Sequence, residues 1–345
     1  MKVMNMMNIG LKTLRHAGLL MVLVLAAFTP LHGQQKLPVR VAMGDVSINK
    51  VPHLVALDNG LFEKYGLDIT LRPFSRGAAE KHGVPAGVLD TIPEGEWDMS
   101  VGGGAPGMVS RANRSEPSDR VIIATTDHVV HWHIIAREGI ETLEDLKGKR
   151  IGISSLAACT GIVVQILADR MGWDAERDLA ILGGDYSINP LKKGWVDAFI
   201  AYDVPLAQAL MAGFKPMDID MRAWNEPYPC NGLWASKAWA HANKETVMRY
   251  LKALTEAISM MKKDKTVAFR SMAKWYDFTD VEVQNVIYNG AVDMPQKPYP
   301  AVAGIKRVME LYDTGAMRRF QPEDFYDDSF MKELDESGFI DSLYE

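Results

Sequence analysis

Short apolar runs and helical runs alternate along this chain, and the alternation runs twice. "VRVAMG" (39–44) reads as a strand, and "VPHLVALDNGLFEKYG" (51–66) has apolar residues at helical spacing, stopped at Asn59–Gly60. "LDITLRPF" (67–74) alternates as a strand does, and residues 75–90 read as helical, weakened by Gly83, Pro85 and Gly87. The strand "WDMSVG" (97–102) leads to a helix at "APGMVSRA" (105–112), and "VIIATT" (121–126) is a buried strand. From "WHIIAR" (132–137) the pattern starts afresh: "RIGIS" (150–154), a helix over 161–171, "LAILG" (179–183), a short helix, "DAFIAY" (197–202) and the helix "VPLAQALMAG" (204–213). "NGLWAS" (231–236) returns as a strand, and the rest is helical with proline breaks. Strands alternating with helices predict an α/β fold, mostly parallel sheets with helices on both faces. Two such lobes joined by strands near 128–137 and 230–236 account for the double run. The expected division is 34–130 with 235–345 as lobe I, and 131–234 as lobe II.

The first 33 residues are a separate object. Lys2, Lys12 and Arg15 precede the apolar run "AGLLMVLVLAAF", and a polar stretch follows it. A basic region, a short apolar core and a small residue near a cut predict a secretory signal, cleaved after Gly33. The apolar core is short of the roughly 20 residues that a bilayer span needs. Loss of its three cations takes the formal net charge from −6 to −9. That acidic balance, with no basic stripe, gives no reason to expect nucleic acid as a partner.

In parallel sheets, ligands sit beyond the carboxyl ends of the strands, at helix starts whose first N–H groups are unpaired and favour anions. Four loops fall at such places. "GDVSINK" offers Ser47, Asn49 and Lys50; "GGGAPG" offers Gly103, Gly104 and Ala105; "SSLAACTG" offers Ser154, Ser155, Cys159 and Thr160; "YDVP" offers Tyr202 and Asp203. Glycine lets a backbone approach closely, and hydroxyls add donors, a combination suited to a carboxylate or sulfonate. Each loop taken alone reads rather as a tight turn or cap, whereas four of them in a two-lobed pattern point to a ligand cleft. "GGGAPG" has neither the spacing of a dinucleotide fingerprint nor the Gly-Lys-Ser/Thr ending of a P-loop.

Other groups are weaker signals. "TTDHVVHWHII" gathers Asp127, His128, His131 and His133, but without the spacing of a metal site, so no metal is expected and His131 reads as a polar group near the hinge. Asn231 opens the returning strand beside it. Cys159 and Cys230 both survive signal cleavage; whether they pair is left open by the sequence. Trp224, Tyr228 and Trp234 read either as a cleft wall or as core behind the hinge. There is no G-x-S-x-G, H-E-x-x-H or S-x-x-K motif, and no cofactor is expected.

These residues also carry a resemblance. "VRVAMGDVSINKVPHLVALDNGLFEKYGLDITL", "EGEWDMSVGGGAPGM", "GIETLEDLKGKRIGISS" and "LKKGWVDAFIAYDVP" resemble the solute-binding proteins of nitrate/sulfonate/taurine importers, over roughly residues 38–260. The resemblance implies a two-lobed periplasmic binding protein of type II with the ligand between the lobes. It implies a monomer, closure about the hinge strands and delivery of a small organic anion to an inner-membrane ABC permease with its ATPase. It places the fourteen candidates above, His131 and Asn231 included, around that ligand. The same superfamily includes pyrimidine synthases of thiamine biosynthesis, with a "CCCFC"-type motif. Here the corresponding "SSLAACTG" holds one cysteine, which argues against that enzyme reading. A periplasmic sensor subunit is a further alternative.

Overall fold

The computed structural model describes residues 36–43, 50–73, 96–102, 104–156, 158–184, 187–276, 278–291 and 293–345. The expected signal segment and the helix expected over 75–90 lie outside them. Leu37–Glu345 form one unit, built on two sheets.

β1 (Leu37–Met43) shows why the first sheet forms. Val39, Val41, Ala42 and Met43 are fully buried, as a strand covered on both faces requires. It pairs in parallel with β2 (Leu67–Pro73), Val39 opposite Ile69, and with β3 (Met99–Val101), Val41 opposite Met99. Between β1 and β2 lies α1 (Val51–Asp58), broken at Gly60, whose φ of 66° only glycine adopts freely. α2 (Gly104–Ala112) follows β3, and β4 (Arg120–Val129) completes the outward run.

The second sheet has the order β5-β8-β6-β7, formed by β5 (His133–Ala136), β6 (Arg150–Ile153), β7 (Ala180–Gly183) and β8 (Ala198–Ala201). α3 (Cys159–Met171) follows β6 and α4 (Asp203–Met211) follows β8. The chain then returns through β9 (Pro227–Ser236), giving the first sheet the order β2-β1-β3-β9-β4. The returning strand is four residues longer than "NGLWAS" suggested, because "PYPC" already pairs with β4.

Each sheet is parallel except for one strand. β5 runs antiparallel to β8, and β9 antiparallel to both β3 and β4. These are the strands by which the chain enters the second sheet and re-enters the first. The helical remainder covers the first sheet. α5 (Lys244–Lys263) buries Tyr250, Leu251, Leu254 and Ile258, and Tyr250 meets His53 of α1 at 2.8 Å. α6 (Val302–Leu311) lies against β9. Near the C-terminus, Phe325 and Asp327 bond both sides of Ile122 (2.8 and 2.9 Å), covering the free edge of β4.

Pro229 of β9 is held between two glycines. A Cβ at Gly104 would lie 2.0 Å from its carbonyl oxygen, and one at Gly304 of α6 would lie 2.6 Å from its nitrogen. Both contacts are to backbone that cannot swing away. Gly304→Ala is therefore expected to cost about 2 kcal/mol in denaturant unfolding. Gly315→Ala, where a Cβ meets nothing within 4 Å, serves as the control and should be near neutral. Equal stability of the two variants would contradict this packing.

Candidate binding site where the strands cross

Three helix starts meet the crossing strands within a few residues of one another. Lys50 precedes α1, Ala158 precedes α3 and Tyr202 precedes α4, and none of these three residues caps its helix through its side chain. Each start is tied to β9 or to the turn after β4 by a side-chain contact. Lys50 Nζ donates to Asn231 Oδ1 at 3.3 Å, Cys159 Sγ lies 3.3 Å from Cys230 Sγ, and Tyr202 Oη lies 3.3 Å from His131 Nε2. Asp127 stands opposite Cys230 in the β4–β9 register, which brings the three contacts to one place.

The burial of these groups is unusual for their chemistry. Lys50 is 0% exposed, Asp127, His131 and Asn231 are each 4% exposed, and Thr160 is 2% exposed. Buried ions need partners, and here opposite charges share the space. Burial pushes His131 toward the neutral form, but the Asp127 carboxylate, 3.2 Å from its Nδ1, outweighs this and raises its pKa. His53, one turn into α1, is held down to about 3 by burial and then by the Lys50 charge, so it stays neutral. His133 is held down to about 4 by burial, with Arg222 and His131 adding to it. Asn231 sits in the left-handed region at φ 55°, in mid-strand, with its amide turned toward Lys50.

The hydroxyl loop after β6 folds on itself. Thr160 Oγ1 accepts from the Ser154 backbone N–H at 3.0 Å and meets Ser154 Oγ at 2.9 Å. Ser155 is exposed, and its carbonyl takes the Ala158 N–H. Gly104 and Ala105 are buried, with Gly104 against β9. Ser47, Asn49 and Gly103 lie outside the described residues. Asp203 is the first residue of α4.

Of the two readings of the aromatic residues, the core one describes Tyr228 and Trp234. They are 0% and 4% exposed, and Trp224 lies under Arg170 at 5.0 Å. The ring that faces the crossing is Tyr202, stacked on Trp132 at 4.6 Å and edge-on to His131 at 5.3 Å. Tyr202 was legible as a loop residue. Trp132 was visible only as part of the histidine-rich strand, and Asp127 only as its acidic member. Among the described residues no three of His, Cys, Asp and Glu are grouped to hold a metal; His128 Nε2 is bonded to the Tyr299 carbonyl at 2.8 Å. A separate cavity of about 230 Å³ lies away from the crossing, between Trp97, Arg120 and Trp234.

Two outcomes follow from this geometry. Asn231→Gly keeps the left-handed backbone and loses the amide, whereas Asn231→Ala loses both. Asn231→Ala should therefore unfold about 1 kcal/mol more easily than Asn231→Gly, and the reverse order would exclude backbone strain at this position. His133 has a folded pKa of about 4, below its unfolded value. Between those two pKa values the unfolded chain binds the extra proton, so stability falls as pH falls. His133→Gln should lessen the loss of stability between about pH 7 and pH 5 by on the order of 1 kcal/mol; an unchanged loss would show that His133 does not carry it.

Comparison with known proteins places this geometry. The chain is 32% identical over 99 residues to a Brucella abortus protein described as a binding protein, covering 29% of this chain and 27% of that one. The match thus spans about a quarter of the curated relative's length. Among solved structures, it is similar to the periplasmic aliphatic sulphonate binding protein SsuA of Escherichia coli, with a TM-score of 0.63 at 17% identity, over 80% of this chain and 92% of that one. It is similar to the periplasmic nitrate-binding protein NrtA of Synechocystis, with a TM-score of 0.61 at 11% identity, over 88% and 89%. The desulfurization enzyme DSZB shares the fold too, with a TM-score of 0.57 at 14% identity, over 88% and 99%. Such identities establish the fold, that of the periplasmic binding proteins. The sequence model of the NMT1/THI5-like family matches residues 47–268, more than half of the chain, and the chain belongs to that family.

Proposed function

We propose that this protein is the substrate-binding component of an ABC importer. It captures a small organic anion, a sulfonate, an aromatic carboxylate or a similar compound, between the two sheets and delivers it to a membrane permease driven by an ATPase. The observation that carries the reading is the meeting of three helix starts, without side-chain caps, at the crossing strands. Helix starts offer N–H donors and a positive field, Lys50 adds positive charge beside them, and Asp127 draws His131 toward its charged form. SsuA and NrtA, named for sulfonate and nitrate binding, support an anion on the same fold.

In this reading Lys50, His131 and Asn231 hold the anionic group, Thr160 and the start of α3 close on it, and the Tyr202 ring packs on its organic part. Ser47, Asn49, Gly103 and Asp203 belong to the same loops. Cleavage after Gly33 releases the chain into the periplasm, where it works as a monomer with residues 34–130 and 235–345 forming one lobe and 131–234 the other. No helix among the described residues is long and apolar enough to cross a membrane.

The test is a thermal-shift screen of residues 34–345 against nitrate, alkyl and aryl sulfonates, aromatic carboxylates, pyrimidines and flavins. A ligand at 100 times its Kd should stabilise the fold by about 2.7 kcal/mol. Asn231→Gly should abolish that shift. The compound should be recovered unchanged after incubation. Silence across the anions would overturn the reading, and a chemically altered compound would replace it with an enzyme on this fold, as DSZB is.

A further inference from the structure

Cys159 and Cys230 come from different parts of the fold. Cys159 is the first residue of α3, which follows the second sheet's β6, and Cys230 is in β9 of the first sheet. Both are free thiols, and their sulfurs lie 3.3 Å apart, about 1.3 Å more than the length of a disulfide bond. The segment between them contains β7, β8 and α4, so a link here ties the second sheet's main helix to the strand by which the chain leaves that sheet.

We propose that Cys159 and Cys230 form a reversible disulfide that latches the second sheet's unit onto the first at the binding site. The two thiols differ in the way such an exchange needs. Cys159 is half-buried and opens a helix, whereas Cys230 is 2% exposed. The contact with Cys230 draws the Cys159 thiol below its usual range despite its burial, with Tyr228 and then the Lys50 charge assisting and Asp127 opposing. Burial, then the neighbouring Cys159, raises Cys230 well above its usual range. Asn231 Nδ2 donates to Cys230 Sγ at 3.2 Å and supports the sulfur that must later carry charge.

The chemistry balances with a disulfide as oxidant, either a small molecule or the catalytic disulfide of a thiol oxidase. The Cys159 thiolate attacks one sulfur of that disulfide, and its other sulfur leaves as a thiolate. This mixed disulfide removes the charge beside Cys230, and with it part of what holds that thiol protonated. Cys230 then gives up its proton and attacks Cys159 Sγ, expelling the second oxidant sulfur. Protein dithiol plus oxidant disulfide become protein disulfide plus two oxidant thiols.

Two non-covalent contacts already run the same way. Tyr312 Oη donates to the Leu156 carbonyl at 2.7 Å, and Arg307 pairs with Asp169 of α3 while also holding Glu226 at 2.6 Å. They press the α3 segment onto the helical layer of the first sheet, and the disulfide would make that contact permanent until reduced. The chemistry of the latch stands by itself; its effect on ligand capture rests on the binding function proposed above.

The experiment treats residues 34–345 with oxidised glutathione and, separately, with a phosphine reductant. Iodoacetamide labelling under denaturing conditions and peptide mass mapping are followed by amide hydrogen exchange. The reduced protein should take two labels. The oxidised protein should take none, yield one linked peptide pair carrying Cys159 and Cys230, and melt about 5 °C higher. Amides of 159–163 should exchange about tenfold more slowly in the oxidised form. Cys230→Ser should stop at a glutathione adduct on Cys159 and show neither change.

Two labels after oxidation, or a glutathione adduct persisting in the unaltered protein, would overturn the proposal. So would a linked pair with unchanged exchange, since it would be no latch. Failure of the reduced protein to bind any screened anion would count against the import function and leave this result standing.

Discussion

The antiparallel return of β9 between β3 and β4 is the constraint on which the rest of the geometry hangs. Because the chain leaves the first sheet at the end of β4 and re-enters it through β9, the two crossings lie side by side in one ladder. The polar residues of both crossings, Asp127 and His131 on one, Cys230 and Asn231 on the other, are thereby gathered at the carboxyl end of β3 and β4. The same strand needs room on both sides, which the glycines at 104 and 304 supply. A parallel arrangement in its place would have put the ends of the two crossings at opposite edges, with no common site.

Electrostatics then decides what this junction can hold. A lysine at 0% exposure is tolerable only among groups that answer its charge, and Asn231 Oδ1 accepts from its ammonium at 3.3 Å. His131 is drawn toward its charged form by Asp127, while His53 and His133 are held neutral, chiefly by burial. Positive character is thus concentrated on the side of the junction where the helix starts lie. In the proposed function, an anion entering there would exchange water for donors that are already fixed, which is the preorganisation that capture requires.

Much of the fold was legible in the sequence because strand and helix periods are local properties. The runs at 39–43, 121–126 and 150–153 are strands where the alternation puts them, and Asn59–Gly60 stops its helix for a backbone reason visible in the residues. The reach of β9 was not legible: "PYPC" carries two prolines, and only its pairing with Asp127 and Val129 of β4 makes a strand of it. The site was partly legible. Lys50, Cys159, Tyr202 and Asn231 were marked by their place at loop ends, and they do meet. That Thr160 bonds Ser154, and that Gly104 packs against Pro229, depends on contacts across the fold that no local pattern records. The stacking partner of Tyr202 at the crossing, Trp132, was hidden among histidines for the same reason.

The central claim is that anions are held at the crossing of the strands. The most direct measurement is amide hydrogen exchange of residues 34–345 with and without saturating ethanesulfonate, read peptide by peptide. The account predicts slowed exchange at 127–132, 158–163, 202–206 and 228–232, with the segment around Trp97 and Arg120 unchanged. Protection confined to that segment, or to none of these, would contradict it.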